Sequence, residues 1–116
     1  MAREPNPNFM AGVPELMILR LLQDREMYGY EIVQAIRTET AEVISFSEGV
    51  VYPVLHSLED DGALTSRRKQ VEGRSRVYYT VTPNGVKRYR QLAQTWTSLA
   101  EAIRAALQGV RHVPEL

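Results

Sequence analysis

Residues 47–81, SEGVVYPVLHSLEDDGALTSRRKQVEGRSRVYYTV, determine the architecture, because the spacing of the apolar residues changes within them. In the first half the apolar residues recur every three or four positions, which predicts a helix over residues 47–62. Over residues 64–71 and 74–81 they alternate instead, and the intervening Glu-Gly pair is a two-residue turn signal. The stretch therefore predicts a helix followed by a two-stranded β-hairpin. The core face of this helix is expected to consist of Val51, Val54, Leu55 and Leu58.

Two serines are candidates for the residue that caps this helix. Ser47 is a good N-cap, and Ser45 with Glu48 three residues later also fits a capping box. We favour Ser47, since it places Pro53 nearer the first turns, where a missing backbone N–H costs less. Gly62 is expected to end the helix.

Two more helices are predicted before this stretch and one after it. The first, over residues 14–24, begins with proline and is apolar nearly all round, so it is expected to be buried. The second, over residues 28–40, has one apolar stripe made by Ile32, Ala35 and Ile36. Thr82 is expected to cap the last helix, over residues 83–108.

The order helix, helix, helix, hairpin is that of a winged helix-turn-helix, whose third helix enters a groove of DNA and whose hairpin, the wing, follows the backbone. We therefore predict a mainly α protein with a small β-hairpin (α+β). Winged helices also serve as protein-interaction modules, so the order of elements does not by itself establish DNA binding. The predicted parts are a flexible arm (1–13), the winged helix-turn-helix (14–82), a dimerisation helix (83–108) and a tail (109–116).

The last helix has a continuous apolar stripe and is unusually long, roughly 39 Å at 1.5 Å per residue. A helix of this length cannot bury the whole stripe against a domain of about 80 residues. The expected partner is a second copy of the chain, so we predict a homodimer. The residues expected at the dimer interface are Tyr89, Leu92, Trp96, Leu99, Ile103 and Ala106.

Composition excludes several function classes. The chain has 116 residues, 44% of them hydrophobic, and no cysteine, which rules out disulfides, zinc ribbons and thiol nucleophiles. It shows no phosphate-cradling glycine loop and no metal-ligand spacing, so we predict neither an enzyme nor a cofactor or metal site. No signal peptide or membrane span is recognisable, and a cytoplasmic location is expected.

The net charge of zero conceals an uneven distribution. Residues 1–63 carry four arginines and eleven acidic residues, whereas residues 64–91 carry eight basic residues and one acid. A strongly basic segment in a neutral chain suggests that one face of the molecule contacts a polyanion, although a solvated surface would have the same composition.

The sequence resembles the PadR family of transcriptional regulators. The third-helix stretch GVVYPVLHSLEDDG (49–62) matches the family's Tyr-Pro pair and terminal Glu-x-x-Gly. YGYEI (28–32), GRSRVYY (73–79) and TVTPNG (80–85) resemble the start of the second helix, the wing and the entry to the last helix. The chain departs from the pattern at Val77, where the family often has a basic residue.

The resemblance implies a winged-helix domain, a C-terminal dimerising helix and, usually, repression of a neighbouring gene. A chain that ends after one such helix is similar to the family's short subgroup, some of whose members bind planar aromatic compounds or drugs between the subunits.

Candidate DNA contacts lie on the second helix, the third helix and the wing. The Tyr52 phenol, on the flank of the third helix, could reach a phosphate or a base edge, or could anchor the helix as a half-buried aromatic. Near the start of that helix, Ser47 and Gly49 would let backbone N–H groups approach a phosphate, even if Ser47 is also a cap. His56 faces outward and is a candidate for backbone contact. For Tyr30, packing competes with phosphate contact.

Five cations lie within residues 67–76 of the predicted wing. Because consecutive strand residues face opposite sides, at most two of residues 67–69 can serve one DNA surface. The simplest choice is Arg67 and Lys69. Arg74 and Arg76 share a face beside the wing tip and are predicted to contact phosphates.

Trp96 lies at the centre of the predicted dimer stripe. Such an aromatic is usually core filler, but two copies across a two-fold axis would form apolar walls suited to a planar aromatic effector.

The predicted function is that of a homodimeric DNA-binding regulator, a repressor of a pseudo-palindromic double-stranded operator, with a planar aromatic small molecule as a candidate effector. The alternative is a winged-helix dimer that binds a protein or senses a ligand without sequence-specific DNA binding. The cluster of wing cations favours DNA, because a protein-docking module has little need for it.

Overall fold

The computed structural model describes residues 12–109, which contain four helices and three strands. The three strands form one antiparallel sheet in the order β1-β3-β2. This architecture, a winged helix-turn-helix followed by a long helix, confirms the predicted fold class. The elements in chain order are α1 (Val13–Leu22), β1 (Met27–Tyr28), α2 (Gly29–Glu39), α3 (Glu48–Asp60), β2 (Leu64–Val71), β3 (Arg74–Val81) and α4 (Pro83–Gly109).

The expected arm (residues 1–13) and tail (residues 109–116) lie almost wholly outside the described residues. Val13 and Gly109, their innermost residues, are already helical.

The core lies where α1, α2 and α3 meet the sheet. As expected for a helix that is apolar nearly all round, α1 is deeply buried, with Ile18 and Leu19 fully enclosed. The predicted stripe of α2 contributes Ile32 and Ile36, while Ala35 lies at the edge of the core. The core face of α3 is also as predicted, since Val51, Leu55 and Leu58 are buried and Val54 packs against them.

Helix α1 is shorter than predicted at its C-terminal end. It ends at Leu22 rather than near Asp24, because the next two backbone N–H groups bond to carbonyls three residues back, those of Arg20 and Leu21. Such bonds tighten the last turn and close the helix.

Helix α3 has the predicted boundaries. Ser47 is the N-cap residue, but only its backbone carbonyl takes part, accepting from the N–H groups of Val50 and Val51 at 3.0 Å. Gly62 adopts φ = +82° just beyond the C-terminal end, a conformation that glycine takes without strain.

The hairpin also has the predicted boundaries and turn. Val71 pairs with Arg74, and both residues between them have positive φ, +52° at Glu72 and +79° at Gly73. Two consecutive positive φ angles are the signature of a type I′ turn.

The sheet contains a third strand that the sequence did not predict. Met27 pairs with Tyr79 and Tyr28 with Tyr78, so β1 adds to the free edge of β3. The alternation predicts Tyr78 on the cationic, non-core side of the hairpin. It is on that side, but it is only 9% exposed because Tyr28 packs edge-on against its ring, with centroids 5.4 Å apart.

A compact joint, formed by residues 61–63, 82 and 85, connects the C-terminal end of α3 to the start of α4. The Thr82 hydroxyl donates to the Gly62 carbonyl at 2.7 Å and accepts from the Gly85 N–H at 3.0 Å. Gly85 packs directly on the Ala63 carbonyl, leaving no room for a Cβ. Arg88 adds bonds to Asp61 at 3.1 Å and to Glu15 of α1 at 2.6 Å. The long helix is thus fixed to the domain at its base.

Candidate nucleic-acid interface

Helix α3 presents a polar, exposed face on the side opposite its core residues. Gly49, Pro53 and His56 are all exposed there, and the outward orientation of His56 is as predicted from the sequence. His56 stands one turn after Tyr52, and the two rings are 6.3 Å apart.

Tyr52 occupies the flank between the exposed face of α3 and the core. It is partly buried because its ring lies directly over Gly29, the first residue of α2, where a Cβ would overlap it. Burial raises the pKa of Tyr52, and the nearby charges of Glu48 and Tyr28 raise it further. A tyrosine phenol is protonated at neutral pH, and the raised pKa favours this form further, so Tyr52 keeps its hydrogen-bond donor.

A cleft of about 320 Å³ separates α3 from the wing. It brings the predicted residues Tyr52, His56 and Arg76 to one place, although Arg76 is 24 and 20 residues away in sequence. The other lining residues are Tyr28, Gly29, Ser75, Val77 and Tyr79.

The sheet has two faces, which we call inner and outer. The inner face meets α3, since the Ser66 hydroxyl donates to the Glu59 carboxylate at 2.7 Å. Strand pairing places Leu64, Ser66, Arg68 and Gln70 of β2 on this face. The outer face carries Arg67 and Lys69 together with Tyr78 and Arg76, which pair with them.

Cations and aromatic rings are stacked on the outer face. The Arg76 guanidinium carbon lies 4.3 Å from the centroid of the Tyr28 ring, and Lys69 Nζ lies 4.4 Å from that of Tyr78. Cation–π contacts of this kind hold the cations in place without neutralising them.

Glu26, in the loop between α1 and β1, bonds to both predicted β2 cations. Its carboxylate accepts from Lys69 Nζ at 2.5 Å and from Arg67 at 3.3 Å. The hydrogen bond from Lys69, with that from Arg67, holds the pKa of Glu26 below its ordinary value. No local sequence signal could reveal this contact, because it joins residues more than 40 positions apart.

The remaining predicted residues occupy the periphery of this region. Arg74 is exposed beside the wing turn, and Ser47 is exposed just before α3. Tyr30 is half exposed on the first turn of α2 and does not line the cleft.

Arg68 is a residue of this region that the sequence did not single out. It lies on the inner face, and its guanidinium donates to the Ser75 hydroxyl at 3.2 Å. Strand alternation separated it from its neighbours, and Val77 and Tyr79 mark its face as the core side of the hairpin. The sequence favours Arg67 and Lys69 because they are the two of these three cations that share a face.

The stripe on α4 divides into two parts. Tyr89 and Leu92 pack against the core of their own domain, and Trp96 is half-buried close to Gly12. Beyond this point the helix leaves the domain, so Leu99 is 49%, Ile103 48% and Leu107 69% exposed. Ala106 is exposed as well.

Within residues 12–109 no cluster of three or more histidine or acidic side chains could hold a metal ion. Over the same part of the chain, none of the helices is both long and apolar enough to cross a bilayer.

A protein-family model described as the transcriptional regulator PadR-like family matches residues 18–91, well over half of the chain. The chain belongs to this family. Transcriptional regulator Rv3488 of Mycobacterium tuberculosis is 35% identical over 104 residues, which cover 90% of this chain and 92% of that protein.

Solved structures of regulators agree with the PadR-like assignment. A transcriptional regulator from Clostridium thermocellum, Cth-833, superposes with a TM-score of 0.77 at 33% identity, over 84% of this chain and 95% of that one. A PadR family transcription regulator from Clostridium difficile R20291 superposes with a TM-score of 0.70 at 26% identity, over 83% of this chain and 99% of that one.

The PadR-like protein is therefore a transcriptional regulator of the DNA-binding winged-helix type and not an enzyme. The family match begins within α1 and ends at Gln91 in α4. It covers the cleft and the wing but not the exposed part of α4 from Leu99 onward.

Proposed function

We propose that this PadR-like regulator is a homodimeric repressor that binds a pseudo-palindromic operator, with α3 of each subunit in the major groove. The observation that carries the proposal is the cleft, where the exposed side of α3 and the basic wing face the same space. In a dimer, two such helices would read half-sites roughly 34 Å apart or a multiple of that distance. DNA as partner also implies a cytoplasmic location.

The proposed roles on α3 follow from exposure and chemistry. Tyr52 and His56 line the cleft, and we propose that the phenol reads a base edge and that the imidazole meets the backbone. The exposed start of α3, with Ser47 and Gly49, offers backbone N–H groups to a phosphate. Tyr30 is proposed to contact the backbone from α2.

The wing contributes cations to the proposed backbone contacts. Arg74 is exposed at the tip, and Arg76 reaches the cleft while stacked on Tyr28. Arg67 and Lys69, which the sequence predicts as DNA contacts, both bond to the Glu26 carboxylate in the described structure.

The exposed apolar residues of α4 support the proposed homodimer. Leu99, Ile103 and Leu107 recur at helical spacing on a segment that the rest of the described chain does not cover. The α4 helix of a second subunit would bury them, as in a two-stranded coiled coil. The same pairing would bring two copies of Trp96 near the two-fold axis, where a planar aromatic effector would bind.

A salt titration of DNA binding tests the proposal. Fluorescence anisotropy with DNA from upstream of the regulator's own and flanking genes should show an affinity loss of about 10³–10⁵ between 50 and 200 mM salt, if 6–10 phosphates are contacted. A protein-interaction module would show no saturable binding to any of these duplexes, and that result would contradict the proposal.

The wing assignment is tested by replacing Arg74 and Arg76 together with glutamine. Each subunit would then bind two fewer phosphates. The slope of the logarithm of affinity against the logarithm of salt concentration, called the salt slope below, should therefore become less steep by about 3.6. The matched control replaces Arg90 and Arg104, exposed cations of α4, with glutamine. It should leave the salt slope as in the wild type. A double wing variant with the wild-type slope would remove the wing from the interface.

A further inference from the structure

We propose that Arg68 is the residue of β2 that contacts the DNA backbone, whereas Arg67 and Lys69 hold the wing to the α1–β1 loop through Glu26. The proposal rests on the proposed DNA-binding function and identifies which cation of β2 contacts the duplex.

The two outer-face cations of β2 already have an anionic partner within the chain. Glu26 accepts from both of them, and Lys69 also lies over the Tyr78 ring. A phosphate that approached Arg67 or Lys69 would meet the negatively charged Glu26 carboxylate. Arg67 and Lys69 would contact it only after breaking the bonds that link β2 to the loop before β1.

Arg68 lies on the face of the wing that meets α3. Ser66 marks this face through its bond to Glu59, and Arg68 follows it two residues nearer the wing tip, about 7 Å further along the strand. The partner of Arg68 across the ladder is Val77, and its hydrogen-bond acceptor is Ser75. Both of these residues line the cleft with Tyr52 and His56. Arg68 is therefore beside the space into which α3 would bring the duplex.

The charge of Arg68 is uncompensated within the described part of the chain. Among residues 12–109 its side chain has no carboxylate within ion-pair distance, and Ser75, a neutral hydroxyl, accepts one of its five N–H donors. The side chain is exposed. A planar guanidinium with unused donors matches the oxygens of a phosphate and can bind two of them at once.

Arg68→Gln and Arg67→Gln form a matched pair that tests the proposal. They are neighbours on one strand, both are exposed, and each substitution removes one positive charge, from opposite faces. Anisotropy titrations of the full-length chain across salt should show a slope reduced by about 1.8 for Arg68→Gln, because each subunit then binds one phosphate fewer. Arg67→Gln should keep the wild-type slope.

Arg68→Lys and thermal unfolding separate charge removal from misfolding. The lysine variant keeps the positive charge and should recover most of the slope, and all three variants should unfold within a few degrees of the wild type. The proposal is overturned if Arg67→Gln flattens the slope as much as Arg68→Gln does, or if Arg68→Gln leaves it unchanged. In both cases the wild type still binds DNA, so these results differ from failure of the proposed function, in which the wild type itself shows no salt-dependent binding.

Discussion

The contact between Gly29 and Tyr52 shows how one missing side chain positions a candidate DNA-contacting residue. The Tyr52 ring occupies the space that a Cβ at Gly29 would need. Tyr52 can therefore be partly buried and still line the cleft. The YGY sequence at the start of α2 and the Tyr-Pro pair of α3 are thus two sides of one packing contact.

Gly29→Ala should destabilise the protein, although alanine is the better helix former. The added methyl group would displace the Tyr52 ring, and such overpacking costs about 1–3 kcal/mol. Operator binding should weaken as well, because Tyr52 moves. Urea unfolding measures the first effect and anisotropy the second.

Gly49→Ala is the matched control for stability. A Cβ at Gly49 would meet only the Ser47 hydroxyl oxygen, at the ordinary contact distance of 3.5 Å. Alanine should therefore stabilise the protein by up to about 1 kcal/mol. Equal stability changes for the two variants would show that the ring does not depend on the space above Gly29.

At the scale of elements, the Glu26 bridge connects the wing to the helical part of the domain. The Glu26 pKa is lowered in the folded protein, chiefly by the hydrogen bond from Lys69. A carboxyl with a depressed folded pKa contributes stability above its unfolded pKa, and this contribution is lost as pH falls through the folded value.

The free energy of unfolding of the wild type should therefore exceed that of Glu26→Gln at neutral pH, and the difference should disappear once the pH falls below the folded pKa of Glu26. Urea unfolding of both proteins from neutral to acid pH provides the measurement. A difference that stays constant with pH would mean that the carboxylate charge does not stabilise the wing.

Elements whose signals are local could be predicted from the sequence, and those that depend on distant pairing could not. Helix α3 and the hairpin follow from a change of period and from the Glu72-Gly73 turn, all within 35 consecutive residues. Strand β1 has two residues, too few to show alternation, and it forms because Tyr28 meets Tyr78 fifty positions later. For the same reason the sequence predicts Arg67 and Lys69 as DNA contacts but does not reveal that both bond to Glu26, more than 40 positions away.

At the scale of the whole molecule, the exposed half of α4 predicts the oligomeric state. Leu99→Asp places a charge on the proposed interface without touching the core of the domain, since Leu99 is half exposed. We expect monomers by light scattering. Operator affinity should fall by about 10²–10⁴, because the two half-sites no longer bind as one unit.

Ala105→Asp is the control for this variant. Ala105 is exposed on the side of α4 away from the stripe, so the same charge there should leave a dimer. A Leu99→Asp protein that remains dimeric would place the interface elsewhere.

The single tryptophan allows a direct test of effector binding. Planar aromatic compounds should change the emission of Trp96 and shift operator affinity by roughly 5- to 150-fold, the usual range of coupling between two sites. Trp96→Ala should abolish the shift. Compounds that leave the emission unchanged, or that release DNA equally from the alanine variant, would mean that Trp96 is a core residue.

The joint between α3 and α4 determines how a dimer would transmit such a signal. Thr82, Gly85 and Arg88 bind the base of α4 to the C-terminal end of α3, with no flexible linker between them. In the proposed dimer, each long helix would act as a lever whose short end carries α3. A small change in the angle at which the two α4 helices cross would change the distance between the two α3 helices. The operator would sense that change as a mismatch with its helical repeat, although nothing near the DNA had been altered.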